Sequence, residues 1–376
     1  MPFLQSNYAR QLQRLIPQHS KFCVKQTSKR QQRLIPYDES SKGGLTGEDG
    51  KEEEKLELED LRLKTMHQII KIQIEELLKT RPSLPTEHES FFKFEFNVEK
   101  AYFEGEYSVM YEAKLVDNPN YPLMGRIFEP ASKLDPEKTT YLKILAHLQR
   151  KHPSILATFG IFHDENLRVI VFQEFAVFGN LFDYMRSSRL TVEEWICQLW
   201  SRQIYRAMDF LGDLGICHRG INPKHILLCR SDSEEEVLPK LGSFRDAIVY
   251  YDPTQNRVLN QPCRPLKRRT TACFQAPEVF GNDTEEYDPI SADVWSFGAV
   301  FFYATTQRHP YNYKSNNSNI AGEIDKVIHD SKVSNSGKAF FTSVCRANVA
   351  RRMMFDRIEQ HPWMKDPPKT RSVAKK

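Results

Sequence analysis

From about residue 91 the chain is built of short apolar runs. "FKFEFNV", "VMYEAKLV", "LMGRIF" and "LRVIVFQEF" are rich in aromatic and β-branched residues, which predicts the strands of a sheet. A helical period interrupts them over Thr139–Gln149, and after Leu181 the pattern turns helical. In "WICQLWSRQIYRAMDFL" the residues Trp195, Leu199, Ile204, Met208 and Leu211 fall near one face, whereas "DVWSFGAVFFYATT" is apolar nearly all round and predicts a helix enclosed by protein. A small sheet followed by a larger helical part predicts two lobes, with the cleft between them as the default site. Ahead of the sheet, Leu56, Leu63, Ile70 and Leu77 recur every seventh residue, with Met66, Ile74 and Leu78 close by. The spacing predicts one amphipathic helix over 52–80, ended by "RPSLP" at Arg81–Pro85. Its apolar face fits either a second chain, through residues 52–79, or the domain beside it.

Composition adds boundaries. Residues 1–37 hold seven Lys or Arg and no acid, and the stretch that follows is polar, glycine-containing and acidic. Residues 1–51 are therefore read as a disordered basic, then acidic, tail and linker, and 366–376 as a disordered end. An acid-free start with arginines is also the composition of a mitochondrial presequence, so that location stands as the alternative to a cytoplasmic one. A net charge of +4 over 376 residues is too small to argue for nucleic acid. No apolar run reaches the ~18–20 residues that a membrane helix needs. The seven cysteines form no C-x-x-C pair, as in a reduced, intracellular protein.

Four ordered motifs give the helical part a resemblance. "FQAPEVF" carries Ala276-Pro277-Glu278, "SADVWSFGAV" carries Asp293, Trp295 and Gly298, "HPSI" begins at His152 and "QHPWM" includes His361. Together these resemble a protein kinase domain over about residues 95–364, with the domain placed at 91–365. The resemblance implies an α+β, bilobal fold with a β-rich small lobe and a helical large lobe. It also implies that Asp293 accepts hydrogen bonds from the backbone at His218 and Arg219, and that Glu278 pairs with Arg352. His218 and Phe244, with Leu145, would stand in the apolar column that joins the lobes.

The positions that carry chemistry in that family are changed. Its H-R-D-x-x-x-x-N loop reads His218-Arg219-Gly220-Ile221-Asn222-Pro223-Lys224-His225, and its D-F-G reads Ser243-Phe244-Arg245. Gly220 supplies no carboxylate, Asn222 stands at the loop's usual lysine, His225 replaces a metal-binding amide, and Ser243 replaces a metal-binding carboxylate. Magnesium prefers hard oxygen ligands, so this set implies no metal site. Of the glycine-rich turn only Gly105 remains, between Phe103 and Ser108. Arg126 stands where the strand lysine would be, and the helix that should supply its acidic partner has Tyr141 and Lys143. Met110 and Met124 take the places that roof the adenine.

The loop looks especially like STRAD-type pseudokinase adaptors, and parts of the large lobe are similar to calcium/calmodulin-kinase-like and testis-specific serine kinases. A catalytically inactive domain that binds a protein partner, an active kinase among the candidates, is the implied function. The alternative is a weak phosphotransferase using Arg126 and Asp246, for which Asp246 would need a strand slip. No cofactor is required on this reading. The nucleotide cleft is either collapsed and empty or takes ATP without magnesium, through contacts at Gly105, Arg126, Glu174 and Arg245. Thr270, in "KRRTTACF", resembles a phosphorylation site for a basophilic kinase, with Thr271 in the role of a structural threonine.

Overall fold

The strand-rich opening folds as a five-stranded antiparallel sheet in the order β1-β2-β3-β5-β4. Its strands are β1 (Phe94–Glu104), β2 (Ser108–Leu115), β3 (Leu123–Pro130), β4 (Thr158–His163) and β5 (Arg168–Glu174). The computed structural model describes residues 94–365, apart from 105–107, 131–135, 164–167, 189–190, 231–236, 253–256, 265–270, 283 and 313–318. The expected tails, the helix at 52–80, Gly105 and Thr270 all lie outside the described residues.

Period-two alternation sorts the sheet's two faces. Ile170 and Phe172 of β5 join Ala113, Leu123 and Phe162 on one face, where Phe94 stacks on Phe172 with ring centroids 4.0 Å apart. Val169 and Val171 face the other way, into the cluster that contains Tyr141, Leu142, Ile144 and Leu145. Those four lie on helix α1 (Pro136–Leu148). It starts earlier than the apolar period alone predicts, because proline suits a first helical turn. It stops at Leu148 because Gln149 takes a left-handed φ of 42°.

The large lobe follows with α2 (Leu181–Ser188), α3 (Glu194–Asp213), β6 (Ile216–Cys217) and the hairpin β7 (Ile226–Arg230) and β8 (Val237–Leu241). Asn180 caps α2, its side chain accepting from Asp183 N at 2.9 Å while Asp183 accepts from Asn180 Nδ2 at 2.8 Å. Short pairs then carry the chain across the lobe: β9 (Ile248–Val249) on β6, β10 (Tyr251–Asp252) on β11 (Arg257–Val258), and β12 (Gln261–Pro262) on β13 (Glu286–Tyr287). Helix α4 (Pro289–Thr306) runs through the core. It begins at Asp288, whose side chain accepts from Ile290 N, with Pro289 at the first helical place. Val294, Trp295, Phe297, Val300, Phe301 and Phe302 are all essentially inaccessible to solvent. At ~1.5–3 kcal/mol for each fully buried large side chain, this helix is the main apolar anchor of the lobe.

Helices α5 (Ile320–His329), α6 (Asn335–Val344) and the short α7 (Pro362–Lys365) complete the lobe. α4 and α6 approach closely at Gly298, where a β-carbon would overlap Val344 and lie 3.0 Å from Cys345 Sγ. Cys197, Cys217, Cys229, Cys263, Cys273 and Cys345 are buried thiols outside any disulfide. Among the described residues no helix is long and apolar enough to cross a membrane.

Candidate functional site

The loop after β6 is fixed from below by α4. Asp293 accepts from His218 N at 2.7 Å and from Arg219 N at 2.9 Å. This is the arrangement a buried carboxylate needs. Burial lifts the Asp293 carboxyl to about 7, and the two backbone N–H groups oppose that rise. Arg219 takes a left-handed φ of 58° and extends towards Tyr287 and Gln261. His218 donates through Nε2 to Gly242 O at 2.9 Å, while its Nδ1 accepts from Gly220 N at 3.3 Å. Those partners assign the neutral Nε2–H tautomer. Burial holds the imidazole down to about 4.

The polar side chains of the loop turn back on its own backbone. Asn222 Nδ2 and His225 Nδ1 both donate to Gly220 O, at 2.8 and 2.7 Å. Asn222 Oδ1 accepts from Lys224 N at 2.9 Å. Burial pulls His225 below its usual range; the Gly220 bond and the Asp246 charge oppose this, and Arg245 and Lys224 add to it. His225 is therefore a neutral imidazole with one nitrogen committed.

After β8 the chain makes a sharp turn. Ser243 adopts φ 63°, ψ 60°, a left-handed conformation that few non-glycine residues take. A single 3₁₀ turn, Phe244–Asp246, follows, with Ala247 N donating to Phe244 O at 3.1 Å. Phe244 is buried against His218 with ring centroids 5.1 Å apart and shares one core with Leu145 of α1. Arg245 is exposed. The same turn swings Asp246 inward. A β-carbon placed on Gly220 would lie 3.4 Å from Asp246 Oδ2 and 3.7 Å from both His218 Nδ1 and His225 Nδ1. The expected strand slip is not needed, because the turn alone carries this carboxylate to the loop.

Across the cleft, β2 and β3 pair Met110 with Arg126. The guanidinium donates through Nη2 to Met110 Sδ at 3.0 Å and lies 5.9 Å from the Phe128 ring centre. Its Nε is buried with no hydrogen-bond partner, and Arg126 makes no ion pair among the described residues. α1 offers Tyr141, which packs on Phe128 with centroids 6.0 Å apart. Met124 is buried. Glu174 offers a ligand only main-chain groups, as expected of its place between the lobes. Its carboxylate is buried and bound to Lys240 Nζ by both oxygens, at 2.8 and 2.7 Å. Beside it, Tyr102 meets Phe175 edge-on with ring centroids 5.2 Å apart.

A final ion pair lies under the site. Arg352 clasps Glu278 through Nη1 at 2.5 Å and Nη2 at 2.9 Å. It also donates to Ser291 O and Arg346 O, and its guanidinium lies 5.2 Å from the Trp295 ring. Residues 96–364 match the family profile described as "Protein kinase domain".

The chain belongs to the protein kinase family.

The kinase domain is 28% identical over 268 residues to mouse "Mitogen-activated protein kinase kinase kinase 4", covering 70% of this chain and 16% of that protein. It is 25% identical over 219 residues to human "SNF-related serine/threonine-protein kinase", covering 57% of this chain and 26% of that one. It is 26% identical over 242 residues to "Aurora kinase" of Schizosaccharomyces pombe, covering 62% and 60%. The chain thus spans a minor part of the first two relatives. Among solved structures it resembles "Crystal structure of Rad53 kinase domain and SCD2 in complex with AMPPNP", with a TM-score of 0.51, 20% identity, and coverage of 73% of this chain and 91% of that one. The fold is the protein kinase fold, a sheet-based small lobe over a helical large lobe.

The donor set in this kinase domain does not suit magnesium. His225 and Ser243 offer an imidazole and a hydroxyl where the ion prefers charged oxygen, and the imidazole already serves Gly220 O. Sequence reasoning missed one participant, Lys240, and two arrangements of residues it had named. Lys240 could have been suspected as the cation opposite a buried glutamate. The inward swing of Asp246 depends on the Ser243 backbone, and the Met110–Arg126 contact on strand register, so neither left a signal in the residue pattern.

Proposed function

We propose that this kinase domain does not transfer phosphate and acts as a protein-binding adaptor or allosteric regulator, with an active protein kinase as its partner, in the cytoplasm. One observation carries the reading. Gly220, His225 and Ser243 present no side-chain carboxylate or amide to substrate and metal, while Asp293, Glu278, Arg352, His218 and Phe244 keep the architecture under them. Loss of general-base help alone costs ~10²–10⁴-fold in rate, and the metal-ligand positions are altered with it. A domain that holds its shape without its chemistry is suited to being recognised by another protein. The segment at 52–79 and the large lobe are the candidate surfaces.

ATP is not required on this reading. Where it enters the cleft, Arg126 and Arg245 take its phosphates without metal, as charge-assisted donors. Thermal stability measured with millimolar ATP in EDTA tests this; a gain lost in Arg126→Ala supports it, and no gain ends it. A second reading, a weak phosphotransferase, is favoured by the place of Asp246 beside Gly220. The deciding assay is phosphotransfer by the full chain with Mg²⁺ or Mn²⁺, beside Arg126→Ala and Asp246→Asn. No turnover above the variants is expected. A metal-dependent turnover that either substitution abolishes overturns the first reading in favour of the second.

A further inference from the structure

Gly220 stands where the H-R-D pattern of protein kinases has its carboxylate, and the hollow beside it is not open. Three polar atoms ring the point where a β-carbon would stand: Asp246 Oδ2 at 3.4 Å, His218 Nδ1 at 3.7 Å and His225 Nδ1 at 3.7 Å. Asp246 comes from the other side, on the 3₁₀ turn that opens the activation segment. We propose that Asp246 is a positioning residue whose carboxylate fills the Gly220 hollow and latches the start of the activation segment onto the catalytic loop. The negative charge has been transposed from the loop to the segment. The inward course of the segment at this point then rests on the chain's own residues.

The surroundings fit a latch. Phe244, two residues before Asp246, is buried against His218, and α1 packs on the same turn. Just beyond, β9 pairs with β6, and Tyr250 N donates to Gly215 O at 2.9 Å. Asp246 therefore sits inside a stretch anchored at both ends, beside Gly220 of the loop. Its charge reaches both imidazoles of the loop and opposes the burial that keeps each of them neutral. The other charges acting on His225 are Arg245, on the same turn, and Lys224 of the loop. The inference holds whether or not the cleft takes nucleotide, so it stands apart from the adaptor reading.

An exchange experiment on the full chain tests it. Asp246→Ala should lower the melting temperature by roughly 2–4 °C and speed amide exchange over 244–250. Gly220→Asp alone should also lower it, because a second carboxylate would face the first. The double variant Gly220→Asp/Asp246→Ala should recover to near the parent value, since the charge has only moved home. Strict additivity of the two losses would overturn the latch. A second readout does not depend on the alanine variant folding well. In Asp246→Asn, which keeps the shape and removes the charge, the NMR titration midpoint of the His225 imidazole should fall below that of the parent. An unchanged midpoint would show that Asp246 does not face the loop, and would also overturn the proposal.

Discussion

Replacing Arg352 by methionine should be among the most damaging single changes in the large lobe. The Arg352 side chain is wholly inaccessible, and that of its partner Glu278 is 17% exposed. Methionine fills much of the same space, so the loss is mostly electrostatic. The bidentate contact to Glu278 disappears, as do the bonds to Ser291 O and Arg346 O and the cover over Trp295. What remains is a carboxylate without a cation, in a place water reaches poorly. Removing one partner of such a pair costs about 3–5 kcal/mol, against a total stability of roughly 5–15 kcal/mol for a domain. Urea unfolding followed by tryptophan fluorescence is the assay, with buried Trp295 and Trp363 as reporters. The double variant Glu278→Leu/Arg352→Met should lose clearly less than the two single changes added together, because no lone charge is left behind. A single-variant loss below about 1 kcal/mol with an unchanged denaturant slope would refute the reasoning.

Further outcomes follow from burial and close approach. His218 is held near pH 4 against an ordinary 6.5, so in that window the unfolded chain binds a proton that the folded domain refuses. Its contribution is therefore present above pH 6.5 and fades towards pH 4, by about 3 kcal/mol in all. Parent and His218→Phe compared at each pH should show that difference in slope, and parallel curves would contradict it. Asp293, lifted to about 7, acts with the opposite sign, its contribution growing as the pH falls from 7 towards 4, and it is common to both proteins. Gly298→Ala should cost about 1–3 kcal/mol because the new methyl overlaps Val344. Gly212→Ala, in α3 with open space around it, should be neutral or stabilising by up to about 1 kcal/mol. Equal effects of the two glycine changes, measured by thermal unfolding, would remove the packing argument.

The parts that could be read in advance were those whose information is local or periodic. α4 announces itself because "DVWSFGAVFFYATT" leaves no polar stripe, and it is indeed enclosed on all sides. Asp293, Glu278 and Arg352 came from motif resemblance, and the geometry joins them as that resemblance implies. Asp246 could not be placed this way. Its position depends on one left-handed residue, Ser243, followed by a turn only three residues long. Serine does not advertise a positive φ as glycine would. The Glu174–Lys240 pair left no signal for a related reason. Which way a side chain leaves the end of a strand is settled by a partner distant in sequence, and Lys240 lies 66 residues away. The hairpin of β10 and β11 escaped because its strands are too short to show any period.

The six enclosed sulfhydryls make the kinase domain its own reporter of opening. Burial pushes Cys197 and Cys345 up to about 12 and Cys273 up to about 11, so at neutral pH the reactive anion is scarce as well as out of reach. Any alkylating reagent that marks one of them has caught that region unfastened, and the labelled position says where. Whatever binds this domain can thus be timed and mapped by which sulfurs it shields, with no substitution in the chain.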